Sequence, residues 1–464
     1  MKKNILYTIA LVIVLSGTMS CKKFLERPPE GQLTEEEALK TEADLLAFSN
    51  GIYTLLGDGD FMSGRHQVLT ELLGDEYKGD RFTGDYSEIF RRQNSFFGGT
   101  RDAYYRKGYR IIVDANIILK KLSLATSAKN RLEGEARFFR GLAHFELVRL
   151  FAQPWGFTGD NSHLGIPLRL EYSLESLNRS SVKEVYDQVI SDLQAADSLL
   201  PDVPAGGKYY TASKWAAKAY LAKVYFQQNN FAKAFQYSNE VITSNKFTLD
   251  ATFDKRFSKG LSTEGILAIA DQTTPNQYNP GGELRGNFRS DIGIPGFAFT
   301  DQYYNIATAR SADLRKAWYS NTLQAGFNVL TKYNKNFFDL PLVHLTEIKL
   351  IRAESGAETG GGNLTIAIAD INQLMTRAYG GTAFNLPLAS SAALVISTTR
   401  FERELEMVGE GNRTQEIKRI GARNGINIDR RNSVWNCPGF ILQFPKAEKD
   451  ANLSFILNPE GGCF

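Results

Sequence analysis

The apolar residues of this chain recur with a helical period almost wherever a period can be read, and that restricts the fold more than any other feature. Tyr105, Tyr109, Ile112, Asn116 and Leu119 are spaced 4, 3, 4 and 3, which puts them on one helix face. Ala136, Phe139, Ala143, Leu147 and Leu150 make another, and its alternation of small with large residues lets a neighbouring helix come close. Thr34-x-x-Glu37 and Ser181-x-x-Glu184 are capping-box signatures. The first is expected to open a helix through Leu45, Phe48, Ile52 and Leu55, the second one through Val182, Tyr186, Val189, Leu193 and Ala196. Neither a long alternating run nor a βαβ series interrupts the pattern, so the expected fold class is mostly α.

One segment shows how the helices combine. From Trp215 to about Thr248 the chain reads Leu221-Ala222-x-x-Tyr225, then a polar turn at Gln227 to Asn230, then Phe231, Ala234 and Val241. This follows the tetratricopeptide (TPR) pattern, in which small residues let two helices meet and aromatic rings fill the space beside them. Such a hairpin cannot bury its faces alone, so others must stack on it. Val343 to Tyr379 is a degenerate second unit turning at Gly360-Gly361-Gly362, and the helices near 103–151 supply more. Two stretches break the texture: Asp75 to Thr100, and Asp271 to Arg310 with its Gly, Pro, Asn, Gln and aromatic residues. Long irregular segments in a helical protein are usually functional. The expected architecture is therefore stacked TPR-like helical hairpins with a loop-rich irregular subdomain, divided at about residue 250.

Composition narrows the function classes. Charge is nearly balanced at +3 over 464 residues and basic residues are dispersed, which argues against nucleic acid as a partner. The four histidines form no metal-binding pair, and GxSxG, GxxxxGK[ST] and GxGxxG are missing. Gly57-Asp58-Gly59-Asp60 resembles the start of a calcium loop but lacks the later ligands. No catalytic group, metal or cofactor is assigned. The sign-alternating segments Glu133 to Arg149 and Arg400 to Arg413 read as solvated faces and inter-helix ion pairs. His144, Trp155 and Trp215 are placed in the scaffold.

The aromatic fraction, 12% with 30 Phe, 20 Tyr and 4 Trp, exceeds what hairpin packing explains. Rings stack on the apolar faces of sugars, so those in the irregular segments are candidate ligand contacts: Tyr77, Phe82 and Tyr86 in the first, and Tyr278, Tyr303, Tyr304 and Trp318 with Arg285 in or beside the second. Each ring has a competing use in the core.

The N-terminus has the form of an address. Lys2 and Lys3 precede an apolar run from Ile5 to Gly17, too short to span a bilayer but suited to a signal peptide. Thr18-Met19-Ser20-Cys21 follows and resembles a bacterial lipoprotein signal, with Cys21 the lipidated residue and residues 1–20 removed. Residues 21–33, with Pro28 and Pro29, form a tether. Cys437 and Cys463 either pair in an oxidising compartment or remain isolated thiols.

Together these blocks resemble the SusD/RagB nutrient-binding lipoproteins of Bacteroidetes. The likeness is carried, in order, by Ser20-Cys21-Lys22-Lys23-Phe24-Leu25, by Glu135-Ala136-Arg137-Phe138-Phe139-Arg140 running on to Phe151, and by the hairpin from Trp215. Leu345 to Glu354 follows, then Glu402 to Arg413, and a tail holding Phe444-Pro445 and Asn458-Pro459. The resemblance implies an N-terminal helical region over 34–250 and a C-terminal RagB/SusD region over 251–464 with ligand-facing loops. It implies a protein that is not an enzyme. Such a chain is lipid-anchored in the outer membrane, exposed at the cell surface, and passes glycan or peptide to a SusC-like TonB-dependent transporter. An envelope glycosidase with a helical fold and a TPR-type protein-binding scaffold are the alternatives.

Overall fold

The computed structural model describes residues 38–95, 98–173, 175–271 and 282–463. Helix α1 (Glu42–Leu56) covers the first predicted apolar run, but Thr34 and Glu37 lie outside the described residues and another pair caps it. Thr41 Oγ1 accepts from the Asp44 amide, and the Asp44 carboxylate accepts from the Thr41 amide at 2.8 Å. Helices α2 (Arg65–Leu73) and α3 (Gly84–Phe90) precede the first long pair, α4 (Gly99–Lys120) and α5 (Lys129–Phe151). Next come α6 (Val182–Leu199), opened by the predicted Ser181–Glu184 capping box, then α7 (Lys214–Gln227) and α8 (Phe231–Thr243), which form the TPR-like hairpin.

These helices stack in chain order, α4 on α5, α5 on α6, α6 on α7 and α7 on α8. Close approach is possible because glycines face the neighbouring helix. A Cβ on Gly108 would lie 2.9 Å from Leu147, and one on Gly141 would lie 3.2 Å from Leu193. Tyr225 stacks on Tyr237 at 5.6 Å across the α7–α8 hairpin.

After α8 the chain leaves the array. Strand β1 (Gly265–Ile269), helix α9 (Gly282–Phe288), strand β2 (Ala298–Phe299), helix α10 (Asp301–Thr308) and strands β3 (Tyr319–Ser320) and β4 (Asn328–Leu330) build the irregular part. β2, β4 and β3 form a small antiparallel sheet in that order. Strand β5 (Leu340–His344) pairs antiparallel with β1 and delivers the chain back to the array. Helices α11 (Leu345–Thr359) and α12 (Gly362–Tyr379) are the degenerate second hairpin, turning at Gly360 and Gly361, both at positive φ. α11 packs on α8, and α13 (Ala392–Glu406) packs on α11 and α12. The chain ends with α14 (Arg413–Asn424), which packs on α2, and the short α15 (Lys446–Ala451). The fold is mostly α, as the periodicity requires.

A buried ion cluster joins the irregular part to the array. Arg256 donates to Glu406 at 3.0 Å, Arg315 to Glu402 at 2.6 Å, and Arg377 to Glu406 at 3.3 Å, while Arg377 also pairs with Glu264. Arg256, Arg315 and Glu406 are essentially inaccessible to solvent. The segment from Arg400 to Arg413 therefore makes the expected inter-helix ion pairs, but buries Glu402 and Glu406 instead of presenting a solvated face. Val395, Thr399, Glu402 and Glu406 share one side of α13, so its apolar face runs on into carboxylates that meet arginines rather than water. Burial alone would raise the Glu406 pKa, yet Arg377, Arg256 and Arg315 hold it at about 2.

Cys437 and Cys463 form a disulfide with Cα atoms 5.2 Å apart, which resolves the choice the sequence leaves open. It closes a 26-residue separation and tethers the C-terminal tail beside Phe440 and Ile417.

Two outcomes follow for stability. Replacing both Cys437 and Cys463 by Ser should cost about 3 kcal/mol in urea unfolding, the chain-entropy value for a loop of this length. Glu406→Gln should cost about 3–5 kcal/mol, because it leaves buried guanidinium groups without their counter-charge. The pH signature differs too. Stability from Glu406 is complete above its ordinary pKa of 4.5 and is lost as pH falls to about 2, so the variant should show a shallower acid limb.

Candidate functional site

The two irregular segments, distant in sequence, meet in space. Tyr77 bridges to Phe299 and its ring stacks on that side chain at 4.8 Å, with Phe297 and Phe288 edge-on. Phe82 packs on Phe297 at 4.8 Å and on Phe90 at 5.4 Å. Lys78 pairs with Asp301 at 3.0 Å, and Tyr86 donates to Glu283 at 3.3 Å. Arg81 donates to the Pro295 carbonyl at 2.8 Å and lies 5.2 Å from the Phe327 ring.

This convergence corrects most of the predicted stacking platforms. Tyr77, Phe82, Tyr303 and Trp318 are core residues, with Tyr303 fully buried and Trp318 only 3% exposed. Phe253 meets Trp318 edge-on at 4.7 Å, Lys332 Nζ lies 4.2 Å from its centroid and Arg256 5.8 Å, so the ring caps the ion cluster. Tyr303 hydrogen-bonds Tyr319 at 3.1 Å. Arg285 is also buried, donating to Asp271 at 3.0 Å with its guanidinium 4.9 Å from Phe338. The reason is general: a loop subdomain of this size needs its own core, and its largest rings supply it. Tyr86 and Tyr304 remain half-exposed. Tyr278 and Cys21 lie outside the described residues. His144 is buried, and burial pushes its pKa down to about 4. In the calcium-like turn, Asp58 pairs with Lys107 at 2.7 Å and Asp60 with Arg65 at 2.9 Å.

A groove of about 600 Å³ lies elsewhere, between α13 and α14. α13 contributes Ala393, Ile396, Ser397, Arg400, Phe401 and Glu404, a single helical face. α14 contributes Arg413, Glu416 and Ile420, and the following loop adds Ile426, Ile428 and Arg430, with Glu76 also lining the groove. The walls are apolar and the polar groups converge, the usual form of a small-ligand site.

The charged groups of the groove are fixed by one another. Arg413 grips Asp75 with two bonds of 2.6 and 2.7 Å, and Arg430 reaches the same carboxylate at 3.1 Å and pairs with Glu404. Burial would raise the Asp75 pKa, but Arg413 and Arg430 hold it below the usual carboxylate range. Glu76 goes the other way: burial, reinforced by Glu71, pushes its pKa well up, and its Oε2 has no hydrogen-bond partner among the described residues. Arg403 lies 4.7 Å from the Phe226 ring, and its Nε and Nη2 meet no acceptor among the described residues. Tyr303 links this groove to the loops, since Arg430 lies 5.4 Å from its ring.

Comparison with known proteins agrees with this architecture. A model of the SusD family matches residues 205–453, and a second, described as starch-binding associating with outer membrane, matches residues 23–226. SusD-like protein P2 of Formosa agariphila is 26% identical, with 98% of this chain and 99% of that protein covered. A SusD superfamily protein of Bacteroides thetaiotaomicron superposes with a TM-score of 0.77 at 22% identity, covering 90% of this chain and 100% of that one. A laminarin-binding SusD-like protein gives 0.71 at 19% identity, covering 91% and 100%. The chain belongs to the SusD family.

The burial of the rings yields a direct contrast. Trp318→Ala should destabilise the protein by about 3–5 kcal/mol in chemical unfolding, the cost of emptying a core site of that size. Tyr304→Ala, at a half-exposed position, should cost about 1 kcal/mol or less. Equal losses at both positions would contradict the packing described.

Proposed function

We propose that this SusD-family member is a non-catalytic, nutrient-binding lipoprotein that captures glycan at the outer membrane. In this reading Cys21 carries the lipid anchor, and the ligand passes to a SusC-like TonB-dependent transporter. Family membership carries the proposal, supported by a relative named for binding laminarin and a family description naming starch. Peptide is the other nutrient class the groove could take.

The α13–α14 groove is the proposed ligand site. Its volume suits a short oligosaccharide, its walls offer Phe401, Ile396 and Ile420 to the apolar faces of sugar rings, and Glu76, Glu404 and Arg430 offer donors and acceptors to hydroxyls. Glu404 and Arg430 are already oriented by their mutual contact, which lowers the entropic cost of binding. Of the residues singled out from sequence, Tyr86 and Tyr304 are retained as accessory contacts on the loop surface.

Calorimetric titration with laminarihexaose and maltoheptaose tests the reading. Ser397→Trp, which fills the groove from an exposed position, should weaken binding by roughly tenfold or more, and Phe401→Ala by about tenfold, the loss of one ring contact. Unchanged affinity in both would remove the groove as the site. Release of shorter sugars during the titration would instead identify an enzyme. Cys21→Ser should abolish incorporation of labelled palmitate, and loss of co-purification with a TonB-dependent transporter from solubilised membranes should accompany it.

A further inference from the structure

A second concavity, of about 400 Å³, lies where the helical array meets the lead into β1. It is formed where the 202–209 turn, the start of α7, the end of the α7–α8 hairpin and the lead into β1 come together. Three aromatic side chains line it, Tyr209, Trp215 and Phe247, all half-buried. Each packs partly against neighbouring structure and leaves part of its ring to the groove.

Two of the rings are pinned. Trp215 Nε1 donates to Asp202 at 2.9 Å, and Lys246 holds the other oxygen of that carboxylate at 2.6 Å. Tyr209 donates to Asp339 at 3.2 Å, and the Gly265 backbone lies so close beneath its ring that a Cβ there would sit 3.0 Å away. Hairpin packing does not require rings held in this way at a surface. Lys214 Nζ lies 5.2 Å from the Trp215 centroid. Asp202 and Lys246 neutralise each other and Lys208 adds a cation to the lining, so the groove offers ring faces with donors and acceptors beside them.

We propose that this groove is a second carbohydrate subsite, taking sugar rings of a glycan against Tyr209, Trp215 and Phe247. The inference rests on the reading that the chain binds glycan, and adds a site separate from the α13–α14 groove. Two subsites on one rigid scaffold would raise the avidity for a long chain over a short one without any new contact.

Titrations of the full chain with laminarihexaose and maltoheptaose, in five forms, decide it: the parent, Ser397→Trp, Thr248→Arg, the double variant of these two, and Ser397→Trp carrying Trp215→Ala. Thr248 is exposed and lines the groove, so arginine fills the space without disturbing the core. The expected result is residual binding in Ser397→Trp that the double variant loses, with Trp215→Ala weakening that residual binding by roughly tenfold. If Ser397→Trp alone abolishes all binding, the second subsite is overturned and the first reading stands. If Thr248→Arg leaves the residual binding of Ser397→Trp unchanged, the second subsite is overturned as well. Should no form bind either sugar, both readings fall.

Discussion

The cluster of Arg256, Arg315 and Arg377 around Glu402, Glu406 and Glu264 is the interaction on which the rest of this molecule depends. Its members come from the segment after α8, the turn before β3, the end of α12, the last turns of α13 and the start of β1. Bringing such groups out of water is costly, and only short bonds on nearly every face of the carboxylates offset it. An apolar contact in the same place would be as strong but tolerant of sliding. Charges that must each meet a partner fix the position of α13 relative to α12 and the loop subdomain. Lys332 extends the arrangement by donating to the Glu406 and Val408 carbonyls at 3.1 and 3.0 Å, just beyond the end of α13.

The groove follows from that fixed position. α13 is tied on one side to α11, α12 and the cluster, while α14 is tied to α2 and, through Arg413, to Asp75. Both helices also meet α11 through shared carboxylates, Arg400 and Arg419 on Glu354 and Arg400 and Arg423 on Glu358, and the groove lies between them. The aromatic surplus divides accordingly. Most rings of the irregular segments form the small core that lets those loops hold a shape, and a minority, Tyr86 and Tyr304 among them, remain partly open to solvent.

Much of the helical array was legible because its signals are local. Ser181 and Glu184 cap a helix wherever it packs, Tyr225 and Phe231 flank a polar turn, and the 4-3-4-3 spacing from Tyr105 to Leu119 defines one face. Other readings needed contacts that spacing does not contain. Trp318 stands in an irregular stretch and carries the largest ring, which made it a natural stacking platform; that Lys332, Arg256 and Phe253 converge on it depends on three separate segments. A clue to the buried ions was nevertheless present. Glu402 and Glu406 continue the face begun by Val395 and Thr399, and carboxylates on a core-facing stripe must find buried partners. The groove residues Ile396, Phe401 and Ile420 gave no such clue, since each reads equally well as packing.

The sequence by itself determined the helical class, the small residues at which helices approach, the hairpin turns and the family, because period, capping and ordered motifs act over a few residues. Only the tertiary structure decided which aromatics are core and which are open, that Cys437 meets Cys463, and that α13 and α14 enclose a groove. Those outcomes turn on which distant surfaces compete for the same ring or charge. A side chain's exposure is a property of what covers it, and the residues that cover Trp318 are scattered along the chain from Phe253 to Lys332.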